Sequence, residues 1–159
     1  MEKMIVSGVA SDLNTARVSV IGVNDEPGIA FKLFNYLAAK NINIDIILQS
    51  VARDGKRDIA FTVPKTELQE ALAIIEEHKD AFTASSFQYD EHVAKVSIIG
   101  AGMSSNPGVA AKMFEALYGA NINIQMISTS EIRITVLIDE NDVNRAMRAI
   151  HDKFDLGDD

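Results

Sequence analysis

The chain has 159 residues, 47% of them hydrophobic and 24% charged, with a formal net charge of −8. That length suits one ordinary domain or two small ones, and the apolar share is that of a folded chain rather than a disordered one. The acidic balance without a basic stripe argues against a nucleic-acid partner. No apolar run reaches the roughly 18 residues of a membrane span, and the absence of cysteine excludes disulfide frameworks, thiolate metal sites and thiol nucleophiles.

In chain order, Lys3–Ala10 (KMIVSGVA) is a short apolar segment whose pairing partner is not obvious from its neighbours. Arg17–Val23 alternates around Val18 and Val20 and predicts a half-buried strand. A helix is predicted from Pro27 to Lys40, with Ala30, Leu33, Phe34 and Leu37 on one face, Pro27 at its first position and Asp25 or Glu26 near its positive end. Asn41 follows as a left-handed terminator. Ile42–Val51 predicts a second strand, Arg53-Asp54-Gly55-Lys56 a hairpin turn, and Asp58–Val63 a third strand. Pro64 to Lys79 predicts a second helix burying Leu68, Ala71, Leu72 and Ile75, and Phe82–Tyr89 a fourth strand. Strand–helix–strand–strand–helix–strand is the split βαβ order of ferredoxin-like folds.

The same order then recurs. Ala94–Gly100 (AKVSIIG) repeats Ala16–Gly22 (ARVSVIG), and Pro107–Ser130 repeats Pro27–Ser50, including the helix start PGxAxK and the turn NINI. The second copy has a longer first loop (Ala101–Asn106) and a shorter hairpin at Ser130–Arg133. Its second helix, Glu140–Lys153, carries Val143, Ala146, Met147 and Ile150 on one face. Little chain remains for a fourth strand. An edge without its strand exposes unpaired backbone, so residues 3–9 are expected to complete the second sheet. The expected fold is α+β: two ferredoxin-like modules with antiparallel sheets and helices on one face, one at residues 15–91 and the other at 3–10 plus 92–156, the first inserted in the second.

The loop Gly22-Val-Asn-Asp-Glu-Pro-Gly28 is the leading candidate site. It presents the first N–H groups of a helix at Gly28, Ile29 and Ala30, which suit a carboxylate, and Gly28 admits close approach of a ligand. Asp25 supplies an acceptor for an ammonium group, and the two together meet the requirements of an α-amino acid. The competing reading is that Pro-Gly only starts a helix. Asn41-Ile-Asn-Ile-Asp45 and its copy Asn121-Ile-Asn-Ile-Gln125 form a second candidate. Asn41 and Asn121 suit either helix termination or ligand contact, while Asn43 and Asn123 are less easily explained by strand propensity. Asp45 against Gln125 is a charge difference between the copies. Ser104, Ser105 and Ser128-Thr129-Ser130 suit either polar ligands or turn chemistry.

Enzyme readings find little support. No Gly-x-x-x-x-Gly-Lys-Ser/Thr loop or Gly-x-Ser-x-Gly elbow is present, and Gly100-Ala-Gly102 lacks the third glycine of a dinucleotide fingerprint. His78, His92 and His151 lack metal-ligand spacing, so no metal and no cofactor are expected. Phe34, Phe61 and Phe114 are core by pattern. Acylphosphatases share the split βαβ order but use an arginine in the loop after the first strand, and neither loop here has one.

The tandem repeat, the PGxAxK(L/M)F helix start, NINIDIILQS followed by DIAFTV, and ISTSEIRITVLI resemble the paired ACT domains of aspartate kinases. The likeness is greatest to the regulatory β-subunit, or the equivalent C-terminal half, of enzymes inhibited jointly by lysine and threonine. It covers residues 4–155. The resemblance implies a cytoplasmic homodimer assembled through its ACT domains, with threonine and/or lysine as feedback effectors and an aspartate kinase catalytic domain or α-subunit as partner. It implies a main effector pocket of Asp25, Gly28, Ile29, Ala30, Asn43, Asp45 and Gln49, joined by Asn123 and Ile124 of the partner chain. A related second site would use Asn106, Gly108, Val109 and Ala110. The kinase domain lies outside this sequence, so no catalytic residues are expected in it. A stand-alone ACT sensor for another biosynthetic enzyme is the alternative.

Overall fold

The computed structural model describes residues 6–156. The chain divides into two compact units, Asn14–Glu91 and the pair of segments 6–13 and 92–156.

In the unit Asn14–Glu91 the elements are β2 (Ala16–Asn24), α1 (Ile29–Ala39), β3 (Ile47–Gln49), β4 (Lys56–Val63), α2 (Leu68–His78) and β5 (Ser86–Asp90), counting the N-terminal strand β1 (Val6–Asp12) first. The sheet order is β3-β4-β2-β5, every pairing antiparallel. Val18 and Val20 of β2 and Ile59 and Phe61 of β4 meet Leu33 and Leu37 of α1 and Ala71 and Ile75 of α2 in one core. Phe34 stands edge-on to Phe61 with ring centroids 5.4 Å apart. Of the residues expected on the helix faces, Ala30, Phe34 and Leu72 are only partly buried, and Ile29 and Ile74 join the core instead.

In the other unit, β6 (Val93–Gly100), α3 (Pro107–Gly119), β7 (Met126–Thr129), β8 (Arg133–Asp139) and α4 (Val143–Lys153) give a sheet of order β1-β6-β8-β7. β1 lies antiparallel to β6, with Val9 opposite Ile98 and Asp12 opposite Lys95. It occupies the edge that β5 holds in the first sheet. The expected strand spans 3–9; the observed one runs Val6–Asp12, and residues 3–5 lie outside the described residues. One unit is thus inserted in the chain of the other.

Several expected elements are shorter than their patterns suggested. The segment 42–51 forms a strand only over Ile47–Gln49, because the backbone ahead of it turns to other partners. The Asn43 N–H donates to Glu67 Oε1 at 2.9 Å and the Ile46 N–H to the Thr62 hydroxyl at 3.0 Å. Residues 82–85 leave the predicted fourth strand because Thr83 adopts φ 59, a conformation that ends an extended run, so β5 begins at Ser86. Each second helix opens with a one-turn 3₁₀ segment, Lys65–Glu67 and Glu140–Asp142, before the α-helix proper.

The duplicated helix start folds in two ways. Pro107 is the first residue of α3, as its missing N–H favours. Pro27 is not in a helix: Gly28, at φ 91, caps α1, which begins at Ile29. The duplicated helix end, by contrast, folds identically. Asn41 and Asn121 both have φ 60. Ile42 N–H bonds Leu37 O and Asn41 N–H bonds Ala38 O, and the same pair recurs from Ile122 to Leu117 and from Asn121 to Tyr118. These are Schellman caps, with buried isoleucine packed on buried leucine. Asn41 and Asn121 therefore terminate helices.

Candidate functional site

Asp25 stands in the loop between β2 and α1, and that loop is held from three sides. Its N–H donates to Gly55 O of the hairpin at 2.8 Å. The Asn24 N–H donates to the Thr83 hydroxyl at 2.8 Å, and Thr83 in turn donates to Phe82 O at 2.7 Å. Gly22, at φ 69, makes the bulge that shifts the register between Val20 and Val23, and its N–H donates to Asp58 Oδ1 at 2.9 Å. These bonds fix the loop over an open depression of about 330 Å³, at the lower end of the range for small-molecule sites.

Five of the residues expected in the main pocket line this depression: Asp25, Gly28, Ile29, Ala30 and Gln49. Buried Val23 and Ile59 give it an apolar floor, and Glu26 adds a second carboxylate. No side chain caps the start of α1 and no acidic residue lies in its first turn, so the first N–H groups keep their attraction for an anion. An anion acceptor and a carboxylate thus face one small space.

Asn43 and Asp45 lie elsewhere. The Asn43 side chain donates to Glu67 Oε2 at 3.2 Å, at the far end of α1 from the depression, and the exposed Asp45 has its N–H on Thr62 O at 3.2 Å. Asn123 and Ile124 belong to the other unit, in the segment between α3 and β7, and line neither depression. Ile124 packs partly against that unit's core.

Arg57 is a lining residue to which no sequence pattern points. It sits on β4 opposite Val23, pairs with Asp25, and donates through Nη1 to Gln49 Oε1 at 3.3 Å. The Asp-Gly turn was legible, with Asp54 at φ 53 and Gly55 at φ 75. The bulge at Gly22 was not, and it is the bulge that brings Arg57 opposite the loop.

The related site in the other unit is a cavity of about 190 Å³. Asn106, Gly108 and Val109 line it with Val6, Pro107, Lys112 and Phe154, whereas Ala110 packs on the core. Its lining contains no carboxylate. Ser105 takes the place of Asp25 in the repeat, the Lys112 ammonium lies 5.1 Å from the centre of the Phe154 ring, and the Asn106 amide donates to Gly102 O at 2.7 Å. The two sites are therefore chemically unequal. Ser104 donates to Glu131 Oε2 at 2.8 Å and Ser130 to Arg133 O at 3.3 Å, so both serve the loop and the turn. Among the described residues no acidic or histidine cluster could hold a metal ion, and no helix is long and apolar enough to cross a membrane.

Two ferredoxin-like units, each with a depression at the start of its first helix, make up the described chain. The ACT domain family model matches residues 18–78 and 96–154, and the chain belongs to that family. It is 50% identical over 158 residues to the aspartokinase of Helicobacter pylori, covering 98% of this chain and 38% of that protein. It also resembles the ligand-free regulatory subunit of aspartate kinase from Thermus thermophilus, with TM-score 0.90, 43% identity, and 94% of this chain and 99% of that one covered. A crystal structure of aspartokinase alpha and beta subunits gives TM-score 0.89 and 46% identity, with 95% and 99% covered. The chain corresponds to the regulatory part of aspartate kinase, and spans 38% of the length of the curated relatives it matches.

Proposed function

We propose that this chain is an amino-acid sensor that imposes feedback inhibition on an aspartate kinase, with threonine and/or lysine as effector. The observation that carries this reading is the depression at the start of α1, where Asp25 faces the open N–H groups of Ile29 and Ala30 over an apolar floor. The effector carboxylate meets the helix start, its ammonium meets Asp25, and a side chain such as the threonine methyl rests on Val23 and Ile59. The cavity of Asn106, Gly108 and Val109 is a second, weaker candidate because it lacks the acid. The chain acts as a homodimer through its ACT domains in the cytoplasm. Asn123 and Ile124 of the partner chain complete the main pocket. The regulated partner is a kinase catalytic domain or α-subunit that forms aspartyl phosphate from aspartate and ATP.

The energetics suit a metabolite sensor. Affinities from millimolar to micromolar correspond to roughly 4–8 kcal/mol. Two charge-assisted contacts of about 1.5–3 kcal/mol each and one buried methyl are of that order. Coupling to a catalytic partner then needs about 1–3 kcal/mol of differential affinity between two subunit arrangements. Isothermal titration of the folded chain with threonine, lysine and both together tests the reading. Saturable heat with at least one is expected, and no heat with any of the three overturns it.

A further inference from the structure

In the free chain one side chain already occupies the acceptors that an amino-acid ammonium would use. Arg57 donates through Nη2 to Asp25 Oδ1 and through Nη1 to Gln49 Oε1 at 3.3 Å. The three residues come from three elements: the loop after β2, strand β4 and strand β3. All three line the same depression. The arrangement is imposed by backbone, because Val23 pairs with Arg57 in the ladder and the Asp25 N–H is bonded to Gly55 O at 2.8 Å. Lys56, one residue earlier on the same hairpin, turns to Asn24 Oδ1 instead. The pair is at the mouth of the depression, with side-chain exposures of 28% for Arg57 and 41% for Asp25. Water therefore reaches it, and its dissociation is cheap compared with that of a buried pair.

The geometry points to Arg57 as an internal competitor for the effector's ammonium group, a residue that sets the affinity of the site. This inference rests on the amino-acid site proposed above. In the free chain the guanidinium holds Asp25 and Gln49, and a ligand ammonium takes Asp25 only as the guanidinium leaves. The apparent affinity is then the intrinsic affinity reduced by the fraction of chains in which Asp25 is unpaired. Removing Arg57 therefore strengthens the binding of an α-amino acid, whereas removing a direct ligand contact would weaken it.

The test is calorimetric titration of threonine and lysine into the full chain and its Arg57→Ala, Arg57→Gln and Lys56→Ala variants, with circular dichroism melts to confirm folding. The exposed pair sets the scale, so Arg57→Ala and Arg57→Gln are expected to bind about fivefold more tightly, and Lys56→Ala within about twofold of wild type. Unchanged or weaker binding by both Arg57 variants, beside a wild type that binds, overturns the competitor and leaves the amino-acid site standing. Equal tightening by Lys56→Ala overturns it too, because a general field effect would then suffice. Absence of binding in every variant overturns the amino-acid site and the competitor together.

Discussion

Gly22 and Ser85 stand so close that a Cβ added to Gly22 would lie 2.6 Å from Ser85 Oγ and 3.2 Å from its Cβ. The contact is fixed by the Ser85 N–H, which donates to Ile21 O at 2.9 Å, and by Gly22 itself at φ 69. Two separate penalties thus oppose a side chain there: the left-handed backbone, about 1–2 kcal/mol, and the clash. Gly22→Ala is expected to destabilise the fold by about 2–3 kcal/mol, several degrees in melting temperature. In a Ser85→Ala background the steric share should shrink while the backbone share stays. Additive losses across that double-mutant cycle would show that the contact contributes nothing.

The two copies of Pro-Gly predict opposite responses to the same change. Gly28 has φ 91 and Gly108 does not have a positive φ, while an added Cβ meets nothing within 4 Å at either position. Gly28→Ala therefore incurs only the backbone cost, about 1–2 kcal/mol. Gly108→Ala lies in the first turn of α3 and should be neutral or stabilise by up to about 1 kcal/mol. Chemical denaturation of the two variants checks this, and equal losses would contradict the two helix starts.

Asp25→Ala should lower threonine or lysine affinity by about tenfold or more, because a charge-assisted contact of roughly 1.5–3 kcal/mol is removed. Stability should change by less than about 1 kcal/mol, since the Arg57 pair that is lost is solvent-exposed. Titration calorimetry and a thermal melt separate the two effects. Unchanged affinity would remove Asp25 from the site.

Removing residues 1–12 takes β1 from the sheet and leaves the β6 edge from Lys95 to Gly100 unpaired. It also strips Val6 from a core shared with Val96 and Ile98. Amides of β6 and β8 should then exchange with solvent about tenfold faster or more, while those of β2 and β4 change little. Hydrogen exchange resolved by segment checks this, and uniform protection would show that β1 is dispensable.

The α+β order, the duplication, the need for an added strand beside β6, the Asp-Gly turn and the asparagine helix ends were all legible in the amino-acid sequence. Each rests on local chemistry: apolar periodicity, the left-handed tolerance of asparagine and glycine, and the unmet backbone of a sheet edge. The helix-start residues Gly28, Ile29 and Ala30 were legible for the same reason. Non-local bonds decided the rest. Gly28 rather than Pro27 ends the loop before α1 in a fold where Asp25 N–H is bonded to Gly55 O, far along the chain in the next hairpin. Glu67 draws Asn43 away from a strand. The bulge at Gly22 shifts one register by enough to set Arg57 beside Asp25, a pairing between positions 32 apart in sequence that no spacing rule anticipates.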